Sequence, residues 1–296
     1  MSPNGHTAPR GRSIRQRVAP TGTGTGAGAT QAATWRPSPF IVVAVLAHLV
    51  GVLLLVGGVV GWPWVAAVLA GIHVTIGIAG LLPRCTLLGE NLTRLPPAAI
   101  ARREVAITID DGPDPAVTPA VLDLLDRYGA KATFFCPGAE VERHPGLCRE
   151  IRDRGHELAN HTLRHSWLFA LLGPARIARE VDAAQATLAA IAGVAPRFFR
   201  PTAGLRNVFL YPVLARRGLT LAAWTRRGLD TREGDPAVVL ARLTRNLAAG
   251  DILLLHDGNA ARTAAGVPVI LEVLPPLLET LRRRGLVVVS LAASVP

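Results

Sequence analysis

The sequence predicts an α/β domain of about seven parallel strands, preceded by two membrane-spanning helices. Three observations carry this. From about residue 104, short apolar, β-branched runs alternate with helical patterns. Residues 40–83 hold two long stretches without a formal charge. Nearly every unusual polar residue of the later region falls where a predicted strand ends.

Residues 1–39 are rich in Gly, Thr, Ala and Pro ("PTGTGTGAGAT"), carry arginines at 10, 12, 15, 17 and 36, and contain no acidic residue. Such a segment has too little apolar surface to fold and reads as a disordered basic tail. From Phe40 the run "FIVVAVLAHLVGVLLLVGGVVGW" is uncharged and reaches the roughly 20 residues that span a bilayer. "GWPW" interrupts it and "VAAVLAGIHVTIGIAGLLP" follows, again uncharged until Arg84. The reading is a two-span hairpin over 40–83 with a tight Trp-Pro-Trp turn and interfacial tryptophans. The apolar stretch is too long and its leading tail too extended for a cleaved signal peptide; a buried core helix is the plainer alternative. His48 and His73 fall inside the spans, where a neutral imidazole facing the other helix is expected. Arginines flank both ends (Arg84, Arg94, Arg102 and Arg103 after the second span), while the turn is uncharged. The positive-inside rule puts both flanks, and the domain that follows, on the cytoplasmic side.

Residues 84–103 read as a linker and 104–296 as the soluble domain. The net charge of +11 is almost wholly arginine, Lys131 being the only lysine. These charges are scattered without aromatic interleaving, which argues against nucleic-acid binding. Three cysteines, Cys85, Cys136 and Cys148, without CxxC spacing, suggest idle thiols.

Within the domain "EVAITI" precedes "TPAVLDLLDRYG", "KATFF" precedes "GLCREIRDRG", and "HELAN" precedes "GPARIAREVDAAQATLAAIAG". The alternation continues through "RFF" and "NVFLYPVLARRG", "LTLAAW" and "DPAVVLARLTRNLAAG", "DILLLH" and "VPVILEVLPPLLETLRRRG", and closes on "LVVVS". Such alternation implies right-handed βαβ units and parallel strands. About seven strands is near the count that closes a barrel; an open doubly wound sheet is the alternative. After the first strand comes the acidic "DDGPDP", where a nucleotide site would present bare backbone amides.

In a parallel barrel the strand ends gather on one face, where active sites are built. Asp110 and Asp111 end the first strand, His161 and His165 follow the third, Arg200 the fourth, Asp230 the fifth, and His256 ends the sixth. "NHTLRH" supplies two imidazoles four residues apart, which on one helical turn would point the same way. Alone they would read as surface histidines; with an acidic pair on the same face they suggest a metal site. Two His and one Asp leave a coordination position open, as catalytic zinc sites do. One aspartate can then be a ligand and its neighbour a base. Adjacent carboxylates repel unless cations lie beside them, and a metal and Arg200 could both do so. The plainer reading, that the pair caps a turn, accounts for one aspartate only.

The ordered set "TIDDGP", "NHTLRH", "FFRPTAG", "WTRRGLD" and "ILLLHDG" resembles the polysaccharide deacetylases of carbohydrate esterase family four, over about residues 103–291. The resemblance implies a distorted (β/α) barrel. It implies Asp110 as general base, Asp111, His161 and His165 as ligands of zinc (cobalt or nickel in related enzymes), and Arg200 as the residue holding Asp110. His256 would be the general acid and Leu254 would line the acyl pocket. Asp230 would tune His256, although a register three residues later would use Glu233. The implied substrate is an N-acylated glycan, or a polyprenyl-phosphate-linked sugar if the domain faces the cytoplasm across a bacterial inner membrane. An O-acetyl esterase and a non-catalytic, membrane-tethered glycan-binding protein are the alternatives. Two departures stand out. Ala203 replaces an aromatic residue whose backbone N–H helps hold the oxyanion, a donor that survives side-chain change. Arg227 and Thr231 replace an acidic residue and a tryptophan in the fourth motif. These changes touch the groove lining rather than the metal or the acid–base pair. His6, His144 and His156 match no motif, and "GNAARTAAG" after His256 reads as a mobile loop.

Overall fold

The structure, a computed structural model, describes residues 35–295; the tail reading for residues 1–34 lies outside them. In chain order the elements are α1 (Pro39–Val56), α2 (Trp62–Leu81), α3 (Pro97–Ala101), β1 (Glu104–Asp110), α4 (Thr118–Arg127), β2 (Thr133–Cys136), α5 (Gly138–Arg143), α6 (Pro145–Asp153) and β3 (Glu157–Asn160). There follow α7 (Pro174–Ala192), β4 (Phe198–Phe199), α8 (Leu210–Ala215), β5 (Thr220–Leu221), β6 (Arg226–Arg227), α9 (Pro236–Thr244), β7 (Ile252–His256), α10 (Val269–Arg283), β8 (Val287–Val289) and α11 (Leu291–Ser294).

Helices α1 and α2 are long and apolar enough to cross a membrane, and only 11% of each apolar window is buried. A core helix would be mostly covered, so that alternative fails. Helix α1 opens on Ser38, whose hydroxyl accepts from the Ile41 N–H at 3.3 Å, with Pro39 in the first turn. The Trp-Pro-Trp segment is not the turn: it forms the start of α2, and the reversal is made by residues 57–61, with Gly58 at φ 64°. Proline tolerates a helix's first turn because its missing N–H has no partner there anyway. The helices pack closely at Gly51, where an added Cβ would lie 2.9 Å from Val65 Cγ1, as small residues permit in apolar hairpins. His48 and His73 meet across the pair, ring centroids 5.3 Å apart, with each Nδ1 bonded to a carbonyl of its own helix.

All paired strands are parallel, in the order β5-β4-β3-β2-β1-β7-β6, with β8 on the N-terminal half of β1. The ends of this path, β5 and β6, belong to one extended stretch that leaves β4 and joins β7. The seven-strand path is thus a distorted barrel, as expected. Strand β6 was not legible, because "TRR" carries no apolar signal. The period of two along each strand sorts the side chains. Val105, Ile107 and Ile109 of β1 and Leu253 and Leu255 of β7 pack outward against α4, α9 and α10. Ala106 and, on β7, Ile252 and Leu254 face the inner cluster with Phe135, Ala159, Phe198 and Trp224. The same alternation carries Thr108, Asp110 and His256 to the inner face. Residues 84–103 pack on the barrel: Leu88, Leu95 and Ala99 are buried, and Leu92 pairs with Ala222.

Candidate active site

Asp110 ends β1 and is register-paired with Phe135 on one side and His256 on the other. Its Oδ1 accepts from Arg200 Nη1 at 2.6 Å. Arg200 is fully buried; it also donates to Thr108 Oγ1 and to the carbonyls of Ala222 and Ala223, and lies 4.0 Å from the Phe135 ring centroid. Burial pushes its guanidinium down from the ordinary value, and the Asp110 carboxylate opposes that. Held by four hydrogen bonds and the Phe135 ring, it fixes the Asp110 carboxylate.

Asp111 leaves the strand in the left-handed region, φ 76°, and its carboxylate meets His161 and His165 while that of Asp110 is held by Arg200. Asp111 Oδ1 lies 3.2 Å from His161 Nε2 and 3.0 Å from His165 Nε2. Donor atoms of Asp111, His161 and His165 all fall within 4.8 Å of one another. His161 Nδ1 contacts the Arg200 carbonyl at 2.7 Å. A carbonyl only accepts, so that nitrogen carries the proton and Nε2 of the neutral ring presents its lone pair to the site. Burial would lower the His161 pKa, but Asp110 and Asp111 outweigh it and raise it. The field that draws a proton here would also draw a dication. On donor chemistry, tautomer and spacing, the three residues fit a divalent metal.

The two histidines do not share a helical turn. Residues 161–165 form a loop in which Thr162 and His165 have positive φ, 67° and 50°. Thr162 Oγ1 accepts from the His165 N–H, and Glu180 accepts from the N–H groups of Leu163 and Arg164. Side-chain hydrogen bonds, rather than helical periodicity, aim the second imidazole.

His256 Nδ1 lies 2.9 Å from Asp230 Oδ1, and its backbone N–H donates to Asp230 Oδ2 at 2.7 Å. Glu233 instead pairs with Arg242, so the Asp230 register is the one the structure adopts. Burial would lower the imidazole pKa, but Asp230, helped by Asp110 and Asp111, raises it to about 9. A cavity of about 490 Å³ brings Asp110, Asp111, His161, His165, His256, Ala203 and Leu254 together. Ala203 stands in its wall at φ 54°. Behind it, a Cβ on Gly204 would lie 2.7 Å from both Pro83 and Trp224, which joins the end of the helical hairpin to the cavity wall.

Several residues of the site were not foreseen. Thr108, buried on the inner face two residues before Asp110, accepts from Arg200, a position the strand period carried. Asn259 donates to Asp111 Oδ2 at 3.3 Å, and Trp167 and Arg232 line the cavity with no local pattern to mark them. The loop after His256 is tied down by Ala261 N–H to the Asp230 carbonyl and by Val269 N–H to the Ala261 carbonyl, both 2.8 Å. Cys136 and Cys148 are buried and unpaired, and burial pushes the Cys148 thiol up to about 12, as idle thiols should be. His156 is buried with Nδ1 accepting from the Ala132 N–H.

The profile of the polysaccharide deacetylase family matches residues 99–222. A peptidoglycan-N-acetylglucosamine deacetylase of Bacillus cereus is 33% identical over 175 residues, covering 58% of this chain and 81% of that protein. A chitooligosaccharide deacetylase of Sinorhizobium fredii is 34% identical over 209 residues, covering 68% and 96%. Among solved structures, the Bc1960 peptidoglycan N-acetylglucosamine deacetylase superposes with a TM-score of 0.63 at 25% identity, over 69% of this chain and 92% of that one. Barrel, ordered motifs and near full-length relatives agree, and the chain belongs to the polysaccharide deacetylase family.

Proposed function

We propose that this protein is a membrane-anchored, metal-dependent deacetylase that removes the N-acetyl group of an amino sugar. The observation that carries the reading is the pairing of Asp110, fixed by Arg200, with His256, kept protonated by Asp230, at the ends of neighbouring strands beside a three-donor site. Asp111, His161 and His165 would hold the ion, zinc first, with cobalt or nickel as alternatives. When bound, such an ion polarises the acyl carbonyl and acidifies a water.

The chain's own groups supply the proton transfers. Arg200 engages Asp110 Oδ1 and leaves Oδ2, 3.7 Å from His161 Nε2, to take a proton from the attacking water. His256, its Nδ1 held by Asp230, turns its other nitrogen to the cavity and protonates the departing amine. The Ala203 backbone N–H is assigned to the developing oxyanion and Leu254 to the acyl methyl. Asp230 and Arg200 act through the groups they hold.

Residues 40–83 serve as the anchor, 84–103 pack it onto the barrel, and 104–296 form the catalytic domain. The arginines flanking the hairpin support a cytoplasmic-facing domain on the inner membrane of a bacterium, where a polyprenyl-phosphate-linked sugar is within reach. The relatives named for peptidoglycan and chitooligosaccharides support an N-acetylated glycan as the general substrate class.

The test is product analysis with purified full-length protein and an N-acetylated oligosaccharide. Equal amounts of acetate and free amine are expected, with turnover reduced about 10²–10⁴-fold in Asp110→Asn. Acetate from O-acetylated sugar alone would make the protein an esterase. Wild-type turnover in Asp110→Asn would contradict the assigned base.

A further inference from the structure

Arg227 and Arg232 both line the catalytic cavity. Carboxylates nearby are already engaged: Asp251 by Arg226, Glu233 by Arg242, and Asp230 by His256. Arg226, one residue away, is thus neutralised, whereas neither cavity-facing arginine has a carboxylate within ion-pair distance among the described residues. Arg227 is steadied with its guanidinium 5.8 Å from the Trp224 ring centroid. Partial burial and then the like charge of Arg232 push its pKa down, with Asp230 opposing. Two guanidinium groups that repel each other in a cavity wall cost stability, and a neutral amino sugar has nothing to set against them. An anion with several oxygens does, because guanidinium groups grip phosphate through paired hydrogen bonds.

We infer that Arg227 and Arg232 form a phosphate subsite, so that the N-acetyl sugar accepted here carries a phosphate ester. This rests on the deacetylase reading above and narrows its substrate to phosphorylated amino sugars. Such a phosphate has two chemical sources, a prenyl-linked sugar or a water-soluble sugar phosphate. The surroundings favour the first. Pro83, two residues beyond α2, packs behind Gly204 and Trp224 in the cavity wall. Trp167 lines the cavity, and it and Leu168 and Leu171 are 67%, 62% and 80% exposed, an apolar surface beside the opening.

The experiment is calorimetric binding to the metal-loaded, full-length protein in detergent micelles. The probes are methyl N-acetylglucosaminide, N-acetylglucosamine 1-phosphate, and N-acetylglucosamine on a short prenyl diphosphate. The phosphate probe is expected to bind at least about ten-fold more tightly than the neutral one. That advantage should shrink with added salt and vanish in Arg227→Gln/Arg232→Gln, whose exposed positions leave folding and metal content intact. Equal affinity for phosphorylated and neutral probes overturns the subsite, and so does an advantage that survives the double substitution. Tighter binding of the prenyl probe than of the soluble phosphate assigns the lipid source; equal binding assigns the soluble one. Binding is read without turnover. A protein that binds the phosphate probe yet releases acetate from none of the three therefore contradicts the deacetylase reading and leaves the subsite standing.

Discussion

At the scale of single residues, the adjacent aspartates differ in backbone conformation and in partners. Asp110 stays on the strand with Arg200, and Asp111 turns toward two imidazoles. Their types and positions were legible because each falls at a strand end. How they part was not, since a left-handed aspartate leaves no mark in the sequence. Arg200 and Asp110 are both buried, and removing one partner leaves the other charge uncompensated. Arg200→Met should therefore destabilise the barrel by about 3–5 kcal/mol, read as a lowered denaturation midpoint. The proposed general acid, His256, would act in its acid form, and its pKa is raised to about 9. A raised pKa keeps the proton on through neutral pH, so the rate should fall only above about pH 9. Asp230→Asn removes the negative charge that holds that proton. The alkaline limb of the pH–rate profile should then move to lower pH by about one unit or more, an effect that a purely structural Asp230 would not produce.

At the scale of elements, the strands declared themselves by apolar, β-branched runs, and their period of two assigned the inward faces. The loops did not. "NHTLRH" has the spacing of a helical turn, yet its geometry comes from Thr162 and Glu180 bonding to backbone N–H groups. The segment after His256 looked unconstrained because its residues are small, while in the structure it is held to Asp230 and to α10 by backbone hydrogen bonds. Gly258 begins that segment against the backbone of Asp111, which an added Cβ would strike. Gly258→Ala should displace the Asp111 loop and weaken metal binding by about ten-fold or more, measured by competition with a chelating dye. An unchanged metal affinity would show that the loop can yield.

At the scale of the whole molecule, Pro83, just beyond the helical hairpin, packs behind Gly204 and Trp224 of the cavity wall. The hairpin was legible from its uncharged length, although the position of its turn was misplaced onto tryptophans that begin α2. Sidedness rests on the arginines at both flanks. A paired reporter fused after Pro296, active on one side of the membrane only, should give its cytoplasmic signal. An external signal would redirect the substrate search to cell-wall or exported glycan. In the proposed function sidedness selects the substrate, and the chemistry depends on a metal held by Asp111, His161 and His165. The most direct measurement of that chemistry is metal content and free-amine release on the same full-length preparation, before and after chelation and reloading. One divalent ion per chain is expected, with loss of at least about 10²-fold of the activity on removal, recovery with zinc, and no bound ion in His161→Ala. Undiminished amine release from protein shown to be free of metal would contradict the proposed metal dependence.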